Sequence, residues 1–492
     1  MEGFLGGMAI LGDPYILAVI LFGTVIGIVV GALPGISGST TTALLLPLTI
    51  TMTPVAAISF LGAIYCAANF GGSITAILVN APGDPSASAT AIDGYRMAVK
   101  GEAGLALGMS AIASAIGGIF SVIVMIIAAP LLARAAYNFG PPEYFALAVF
   151  GLSMCAAIGG DGPVKNLISA ATGVLIATIG IDMTTGIERF TFGIYDLTDG
   201  VNFVPALIGL FAVGEMLEQA AQRAAPSVAI SMKNVRIPGR AEFRKCFKAI
   251  SLSSILGTAI GILPALGATT AALIAYNETR RWSRHKHEFG HGAIEGVAGP
   301  EAANNAAVGG AMVPTLALGI PGSTTTAIIL AGLIVQGIRP GPHLFTEQPT
   351  LLYAVFASML VANLLYLVLG LGAAKMFARI AMIPAPILWP GVLVLSVIGA
   401  YGPEQSMGDV YVMFAFGVLG FLFRRFGFSP APLIMGLVLG RLLEESLKQS
   451  LLIFDQSWLG FLGRPIAMTM LCITAAGLLL PALGRLRTMR RA

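Results

Sequence analysis

Two motifs that place Pro, Gly and hydroxyl residues inside apolar runs each occur twice in this chain. The first motif, Gly31-Ala-Leu-Pro-Gly-Ile-Ser-Gly-Ser-Thr40, returns as Gly261-Ile-Leu-Pro-Ala-Leu-Gly-Ala-Thr-Thr270. The second motif, Pro82-Gly-Asp-Pro-Ser-Ala-Ser88, returns as Pro321-Gly-Ser-Thr-Thr-Thr326. Because the motifs recur in the same order and far apart, they indicate an internal duplication rather than a solenoid of short repeats.

Each motif interrupts a helix, and these interruptions restrict what the chain can fold into. Pro and Gly break a helix, and inside a bilayer every freed backbone N–H and C=O group needs a partner. Broken helices are tolerated where they are buried in protein or line a watery cavity. Matching breaks in two halves therefore point to the binding site of a transporter. We number the predicted breaks in chain order as residues 34–42, 82–88, 264–270 and 321–326.

The composition is that of an integral membrane protein. Of the 492 residues, 56% are hydrophobic and 11% are charged, and the mean hydropathy is +0.87. A soluble domain carries about 25% charged residues. Since a spanning helix needs about 20 apolar residues, the chain has room for about 10 to 14 transmembrane segments. The apolar runs do not alternate as barrel strands do, so we predict an all-α polytopic membrane protein.

The duplication divides the chain into four predicted parts. Residues 1–218 form the first repeat half with the first two breaks, and the basic stretch 219–248 forms a cytoplasmic connection. Residues 249–350 form the second half with the last two breaks, and 351–492 add C-terminal transmembrane helices. We expect the breaks to form re-entrant helical hairpins and the two repeats to be inverted. The run 249–276 is either such a hairpin or one long span.

Broken helices supply groups that bind an anion without any arginine. The N-terminus of the second half-helix carries unpaired N–H groups and the positive end of the dipole, and Ser or Thr residues stand there as N-caps. Freed carbonyl groups on the same hairpins can hold Na⁺. The alternative is that the hydroxyl groups only cap the broken helices. The predicted substrate-binding residues are Gly35, Ser37, Gly38, Ser39, Thr40, Thr41, Gly83, Ser86, Thr269, Thr270, Asn304, Asn305, Gly322, Ser323, Thr324 and Thr325.

Asp84 and Asn69 are the candidates for binding a coupling ion. Asp84 is the only acid within the four breaks, and an ionisable group at membrane depth is a functional candidate. The alternative is that Asp84 lies in an ordinary surface turn. Asn69 precedes the second break, as Asn304 and Asn305 precede the fourth, so all three can line one cavity. Hydrogen bonding between helices also explains them.

Other chemistries find little support in the sequence. The four cysteines are scattered without a metal-binding spacing, and His285, His287 and His291 lie in a basic loop that we expect to be solvated. We predict no cofactor and no metal beyond a coupling Na⁺ or H⁺. The net charge of +4 lies in loops and the C-terminal tail, which fits membrane topology rather than a nucleic-acid partner. No phosphate-binding GxxxxGK[ST] loop occurs, so a gradient or a partner must drive transport.

Two alternative functions remain open at this point. Gly35-Ile-Ser-Gly38 matches the GxSG of intramembrane serine proteases, but that chemistry needs a membrane-embedded histidine that the sequence does not offer. An ion channel can also use broken helices. We therefore predict that the chain is not an enzyme.

Three stretches give the chain a family resemblance. These are Gly31-Ala-Leu-Pro-Gly-Ile-Ser-Gly-Ser-Thr40, Asn80-Ala-Pro-Gly-Asp-Pro-Ser86 and Gly309-Gly-Ala-Met-Val-Pro-Thr-Leu-Ala-Leu-Gly-Ile-Pro-Gly-Ser323. With its length and two-half layout, the chain resembles the large membrane subunit of tripartite tricarboxylate transporters (TctA family). One departure from internal symmetry is Ala265, which stands where the first half has Gly35.

The resemblance implies a secondary active transporter in the bacterial inner (cytoplasmic) membrane. Such a subunit works in the lipid bilayer with a small membrane subunit (TctB-like) and a periplasmic solute-binding protein (TctC-like). It implies symport of di- or tricarboxylates such as citrate, driven by a Na⁺ or proton gradient.

Overall fold

The structure is a computed structural model that describes residues 2–33, 35–155, 162–182, 184–221, 235–380 and 385–489. Pro34, at the start of the first break, lies outside the described residues, as does 222–234 of the basic connection.

Helices make up almost all of the regular structure in these ranges. The helices are α1 (Glu2–Ile10), α2 (Pro14–Gly31), α3 (Gly38–Leu45), α4 (Pro54–Val79), α5 (Ser88–Val99), α6 (Ala103–Ala136), α7 (Pro141–Met154), α8 (Pro163–Ala177), α9 (Phe203–Ile208), α10 (Gly214–Ala221), α11 (Arg240–Ile262), α12 (Gly267–Trp282), α13 (Ile294–Leu318), α14 (Thr324–Val335), α15 (Leu344–Glu347), α16 (Pro349–Ile380), α17 (Ala385–Tyr401), α18 (Met407–Arg425), α19 (Pro430–Ile453) and α20 (Pro465–Met489). One short antiparallel pair, β1 (Gly180–Ile181) and β2 (Glu188–Arg189), places Gly180 opposite Arg189.

Many of the helices are long and apolar enough to cross a bilayer. Seven of the described helices meet this condition: Pro14–Gly31, Pro54–Val79, Ala103–Ala136, Phe203–Ala221, Arg240–Ile262, Pro349–Ala373 and Met407–Arg425. Shorter apolar helices are Pro163–Ala177, Thr324–Val335, Trp389–Tyr401 and Pro465–Leu478. The predicted fold class, an all-α polytopic membrane protein, is therefore confirmed. The number of spans and the re-entrant, inverted arrangement stay predictions.

The chain divides into two compact units. The first consists of Met1–Ala133 and Val204–Leu422, and the second of Arg134–Phe203 and Phe423–Ala492. All of the predicted binding residues lie in the first unit. Within the second unit, α19 packs against α7 and α8, and α20 packs against α7.

Two helix pairs in the first unit make the same close contact at corresponding positions. In the first half, a Cβ atom added to Gly31 of α2 would lie 2.4 Å from the carbonyl oxygen of Ala68 in α4. In the second half, a Cβ atom added to Gly261 of α11 would lie 2.5 Å from the carbonyl oxygen of Ala307 in α13. Small residues allow helix backbones to approach this closely. The α2–α4 and α11–α13 pairs thus follow the sequence correspondence of the two halves.

Glycines on α4 and α13 make a second pair of close contacts with the same partner helices, α2 and α11. A Cβ atom added to Gly71 of α4 would lie 2.6 Å from the carbonyl oxygen of Ile28. One added to Gly310 of α13 would lie 2.5 Å from the carbonyl oxygen of Thr258. Glycine is required at both positions because the neighbouring atoms belong to rigid backbone.

The two helices that lead into the second and fourth breaks form the interior of the first unit. Every residue of α13 is buried, and α4 is buried over nearly its whole length. Helix α13 packs against α4, α5, α11, α12 and α14. Its surroundings are therefore protein rather than lipid, which lets it carry polar residues that a lipid-facing helix would exclude.

Candidate functional site

Asp84 joins the first break to the second. Its Oδ2 atom accepts a hydrogen bond of 2.8 Å from the N–H of Gly38, at the first residue of α3. Its Oδ1 atom accepts one of 2.9 Å from the N–H of Ser86 in the turn that precedes α5. The side chain is buried at 9% exposure, so Asp84 does not lie in a surfaced turn. A carboxylate is well placed at these two backbone N–H groups because helix N-termini favour negative charge.

A chain of hydrogen bonds along α4 connects the second break with the fourth. The hydroxyl group of Ser86 donates to Oδ1 of Asn69 at 3.0 Å. The Nδ2 group of Asn69 donates to the carbonyl oxygen of Tyr65 at 2.9 Å. The hydroxyl group of Tyr65 pairs with Oγ of Ser323 at 2.9 Å. Residues far apart in the sequence, from both predicted halves, therefore meet on one side of α4.

The third break reaches the same region through a glycine. A Cβ atom added to Gly267 would lie 3.7 Å from Cβ of Ser323. The backbone reaches α12 through left-handed residues, with φ +69° at Ala265 and +64° at Gly267. Ala265 corresponds to Gly35 of the first break, which has φ +82°. A left-handed conformation strains alanine but not glycine, so the backbone at Ala265 is strained. With this contact, all four predicted breaks lie in one connected region.

The helices that follow the breaks differ in how their N-termini are capped. The hydroxyl group of Ser37 accepts from the N–H of Thr40 at 3.2 Å, and that of Ser323 accepts from the N–H of Thr326 at 3.2 Å. At the N-terminus of α12, the cap residue Leu266 offers no side-chain hydrogen bond. Among the described residues, the first N–H groups of α12 therefore have no side-chain acceptor.

The hydroxyl groups of the first break are mostly occupied within it. Those of Thr40 and Ser39 pair with the hydroxyl group of Ser37 at 2.9 and 2.8 Å. That of Thr41 donates to the carbonyl oxygen of Ser37 at 3.0 Å. The carbonyl oxygen of Gly35 accepts a hydrogen bond from Nε2 of Gln219. Ser37 is thus hydrogen-bonded to hydroxyl groups and not to the histidine that a serine hydrolase needs.

Four predicted threonines keep their hydroxyl groups available. Thr269 and Thr270 lie half-buried in the first turn of α12, Thr324 is half-buried and Thr325 is buried at the start of α14. None of these hydroxyl groups has a hydrogen-bond partner within the described part of the chain. They flank the contact between Gly267 and Ser323, where a bound anion can meet both hydroxyl and backbone N–H donors.

Gly83 and Gly322 are needed for close packing. A Cβ atom added to Gly83 would lie 1.9 Å from the carbonyl oxygen of Gly31. One added to Gly322 would lie 2.7 Å from the backbone of Ala311. Each glycine thus lets the segment after a break lie directly on a neighbouring helix.

The sequence analysis missed one buried cluster, which is centred on Glu301. Its side chain is fully buried in α13 and accepts hydrogen bonds from the hydroxyl groups of Thr90 at 2.5 Å and Ser114 at 2.8 Å. Asn304 and Asn305 follow one turn later on the same helix. The sequence analysis named Asn304 and Asn305 as candidates and did not include Glu301. Helical spacing between Glu301 and the two asparagines was the signal that could have found it.

Asn304 and Asn305 are both buried, but their side-chain NH₂ groups differ in hydrogen bonding. Nδ2 of Asn305 donates to Oδ1 of Asn304 at 2.7 Å and to the carbonyl oxygen of Glu301 at 3.1 Å. Nδ2 of Asn304 is buried and has no hydrogen-bond partner among the residues that the structure describes. A buried donor without a partner is costly, and bound ligands or ions are among the explanations for such groups.

A separate cavity of about 250 Å³ lies in the first unit beside the first break. Its lining is mainly apolar and includes Leu33 and Trp389, with the predicted binding residue Thr40 and with Glu215 and Gln219 as polar members. An acid and apolar walls do not suit a carboxylate, so this cavity is a poorer candidate for the substrate than the region around Ser323.

The basic histidine loop makes polar contacts near α13. Nδ1 of His285 lies 3.3 Å from Oε2 of Glu295, and Nζ of Lys245 donates to Oε2 of Glu288 at 2.7 Å. This ion pair lowers the pKa of Glu288, because the bonded ammonium group favours the charged carboxylate.

Comparison with known proteins gives the family. Residues 17–435 match the tripartite tricarboxylate transporter TctA family. The chain is 41% identical over 468 residues to an uncharacterized 52.8 kDa protein in the TAR-I ttuC' 3' region of Agrobacterium vitis, covering 95% of this chain and 93% of that protein.

A second relative is shorter. It is an uncharacterized protein in the TAR-II ttuC' 3' region of Agrobacterium vitis, 39% identical over 234 residues, which cover 48% of this chain and 97% of that protein. No solved structure matches the chain. The family match extends over most of the sequence and includes all four breaks, so the resemblance inferred from the motifs is confirmed. The chain is a multi-pass membrane protein and belongs to the tripartite tricarboxylate transporter TctA family.

Proposed function

We propose that the chain is the large permease subunit of a binding-protein-dependent secondary transporter. It imports di- or tricarboxylates such as citrate across the bacterial inner membrane, together with Na⁺ or protons. A small membrane subunit and a periplasmic solute-binding protein complete the system. The family membership supports a transporter with several subunits.

The observation that carries the proposal is the continuous chain of contacts among the four breaks. It runs from Gly38 through Asp84, Ser86 and α4 to Ser323. In a membrane protein, irregular backbone is tolerated where it is buried in protein or lines a water-filled cavity, and broken helices of two repeats commonly form the binding site of a transporter. This supports a substrate site where the breaks meet, with the repeats on either side of it.

The groups around Ser323 suit a carboxylate. Helix α12 directs N–H groups without a side-chain acceptor toward its N-terminus, and Thr269, Thr270 and Thr324 have free hydroxyl groups there among the described residues. Together they offer hydrogen bonds to an anion without a positively charged side chain. The N-terminus of α12 also contributes favourable dipole energy to a bound carboxylate.

The close packing at Gly31–Ala68 and Gly261–Ala307 supports two repeats that carry equivalent breaks. In the proposed cycle, the repeats rock against each other and expose the site first to the periplasm and then to the cytoplasm. The binding protein delivers the carboxylate and selects it, while the gradient of the coupling ion sets the direction.

Uptake by proteoliposomes tests this function. The chain is reconstituted with its small subunit, labelled citrate is supplied on the binding protein, and Na⁺ and proton gradients are imposed in turn. Accumulation that requires both the gradient and the binding protein is the expected result. Accumulation without the binding protein would indicate an autonomous carrier or a channel instead.

The double variant Thr269→Val and Thr270→Val tests, in the same uptake assay, whether the substrate binds at the N-terminus of α12. Valine keeps the shape of threonine and removes only the hydroxyl group, so the variant should insert normally and show a KM for citrate raised about tenfold, as expected for two lost hydrogen bonds. Thr172→Val on α8 is the matched control. An unchanged KM in the double variant would exclude the N-terminus of α12 from the site.

A further inference from the structure

Glu301 is a fully buried acid in the middle of the most enclosed helix of the first unit. Its carboxyl oxygens accept hydrogen bonds from Thr90 on α5 and from Ser114 on α6. Ser110 and Asn304 also approach the carboxyl group. Within the described part of the chain, no basic side chain forms an ion pair with it.

A carboxylate in this position lacks a counter-charge. Removing an ion from water costs several kcal/mol or more unless a partner compensates it, so a buried acid takes up a proton or binds a cation. Two other buried acids of this chain have a basic neighbour, since Glu295 lies beside His285 and Asp182 lies beside Lys448. Asp84 and Asp93 instead accept hydrogen bonds from backbone N–H groups. Glu301 has only neutral neighbours.

The neighbours of Glu301 are of a kind that accepts both protonation states. Each hydroxyl group is one donor and two acceptors, and it rotates to suit its partner. The ionised carboxylate accepts from Thr90 and Ser114, as observed. The protonated acid donates to one of these oxygens and accepts from the other. The pocket therefore serves both forms without rearranging the backbone.

Other titratable groups on the packed helices do not compete for this role. Asp93 on α5 is occupied by backbone N–H groups that precede α13 and by the hydroxyl group of Tyr276. Cys66 on α4 and Tyr366 on α16 are buried and neutral at physiological pH. The first-unit part of α6 carries no titratable side chain, and those of α11 lie within its first nine residues. A proton arriving near Glu301 thus has one carboxyl group to occupy.

Polar groups connect Glu301 with the region where the breaks meet. The hydroxyl groups of Ser110 and Ser73 pair at 2.7 Å between α6 and α4, and Ser73 lies one turn from Asn69. On α13, the unpaired Nδ2 of Asn304 lies one turn from Glu301. A change in the charge of Glu301 therefore affects polar groups on α4 and α13, the helices that lead into the second and fourth breaks.

We propose that Glu301 is the proton-binding residue through which this transporter couples import to the proton gradient. The inference rests on the proposed function and narrows it: the coupling ion is H⁺. Glu301 takes up one proton when the site faces the periplasm and releases it when the site faces the cytoplasm. The proton moves between water and the carboxyl group, and no other reactant is needed.

Glu301→Gln tests the coupling step, because glutamine resembles the protonated acid and cannot release a proton. In proteoliposomes with the small subunit and the binding protein, the variant should lose all accumulation driven by a pH gradient. It should keep the exchange of internal for external labelled citrate, which needs no net proton release. Glu295→Gln, at the other buried acid of α13, should keep both activities.

Infrared difference spectroscopy tests proton binding on the purified chain without transport. Between high and low pH, the wild type should gain the C=O stretch of a protonated carboxyl group, and Glu301→Gln should lack this band. An identical band in the variant, or a band that responds to Na⁺ instead of pH, would overturn the assignment. Accumulation by Glu301→Gln in a pH gradient would overturn it as well.

The two proposals fail in different ways. If the wild type accumulates no carboxylate under any gradient while the infrared band depends on Glu301, the proposed function falls and the proton site stands. If the wild type accumulates carboxylate only in a Na⁺ gradient and the band is absent, the proton site falls and the permease function stands.

Discussion

At the scale of single residues, Asp84 is the side chain that holds two breaks together. Its two carboxyl oxygens serve two different backbone N–H groups, those of Gly38 and Ser86, and it is buried. An aspartate that caps an exposed helix satisfies one donor and remains in contact with water. Asp13, whose Oδ1 accepts from the N–H of Tyr15 at the start of α2, is such a case.

Replacing Asp84 by Asn should therefore lower the free energy of unfolding more than the same change at Asp13. The amide keeps one acceptor and places an NH₂ group against a backbone donor, which leaves Gly38 unsatisfied. We expect Asp84→Asn to lower the free energy of unfolding by about 1–3 kcal/mol, and Asp13→Asn by at most about 1 kcal/mol. Thermal unfolding in detergent measures both. Equal effects at the two positions would show that Asp84 does not join the breaks.

The sequence predicted some of these residues well because their role is local. Ser37 and Ser323 stand directly before an apolar helix, and both cap it. Tyr65 and Glu301 could not be assigned in the same way. Their partners, Ser323 and Thr90, lie on other helices, and only tertiary packing brings them into contact.

At the scale of elements, helix boundaries were predictable where apolar runs have clear ends. The apolar residues that precede the second break form α4 at Pro54–Val79. Helix α13 was harder because its first turns are rich in Gly and Ala and include Glu295 and Pro300. Burial among five other helices stabilises that segment, and its own hydropathy does not reveal this.

The hairpin of β1 and β2 in the second unit is held to α19 by ion pairs. Nζ of Lys448 bonds to Oδ2 of Asp182 at 2.7 Å and to Oε1 of Glu444 at 2.6 Å, and Arg189 bonds to the same Glu444. The bonded ammonium group of Lys448 lowers the pKa of Asp182 below its usual range. A lowered pKa means that folding favours the ionised form of this acid.

Stability from this contact should consequently depend on pH in one direction. An acid whose pKa is lower in the folded than in the unfolded protein stabilises the fold at pH values above its unfolded pKa, which is about 3.9 for aspartate. This stability is lost as the pH falls toward the pKa of the folded state. We expect Lys448→Met to lower the melting temperature at pH 7 and to reduce the further loss on acidification from pH 7 to about pH 2. Arg441→Met, on the same helix, is the control. A wild-type pH dependence in Lys448→Met would contradict the assignment.

At the scale of the whole molecule, a pair of hydroxyl groups is one of the contacts through which the two predicted halves meet in the site. Tyr65 belongs to the first half and Ser323 to the second, and their hydroxyl groups are 2.9 Å apart in a buried position. The sequence contained both halves and the order of the breaks. It did not contain this contact, because neither residue has a motif that specifies its partner.

A double-mutant cycle with Tyr65→Phe and Ser323→Ala tests whether this pair couples the halves. Ser323→Ala leaves the buried hydroxyl group of Tyr65 without this partner, which costs about 1–3 kcal/mol, and also removes the cap that accepts from the N–H of Thr326. If the pair acts as a unit, the double variant should lose hardly more stability and citrate uptake than Ser323→Ala alone, with a coupling energy of about 0.5–3 kcal/mol. Tyr15→Phe, at an exposed position, controls for the loss of a phenol. Strictly additive losses would mean that the hydroxyl groups act separately. The halves would then be coupled by their other contacts, such as the hydrogen bonds of Glu301 with Thr90 and Ser114, rather than by a polar contact at the meeting point of the breaks.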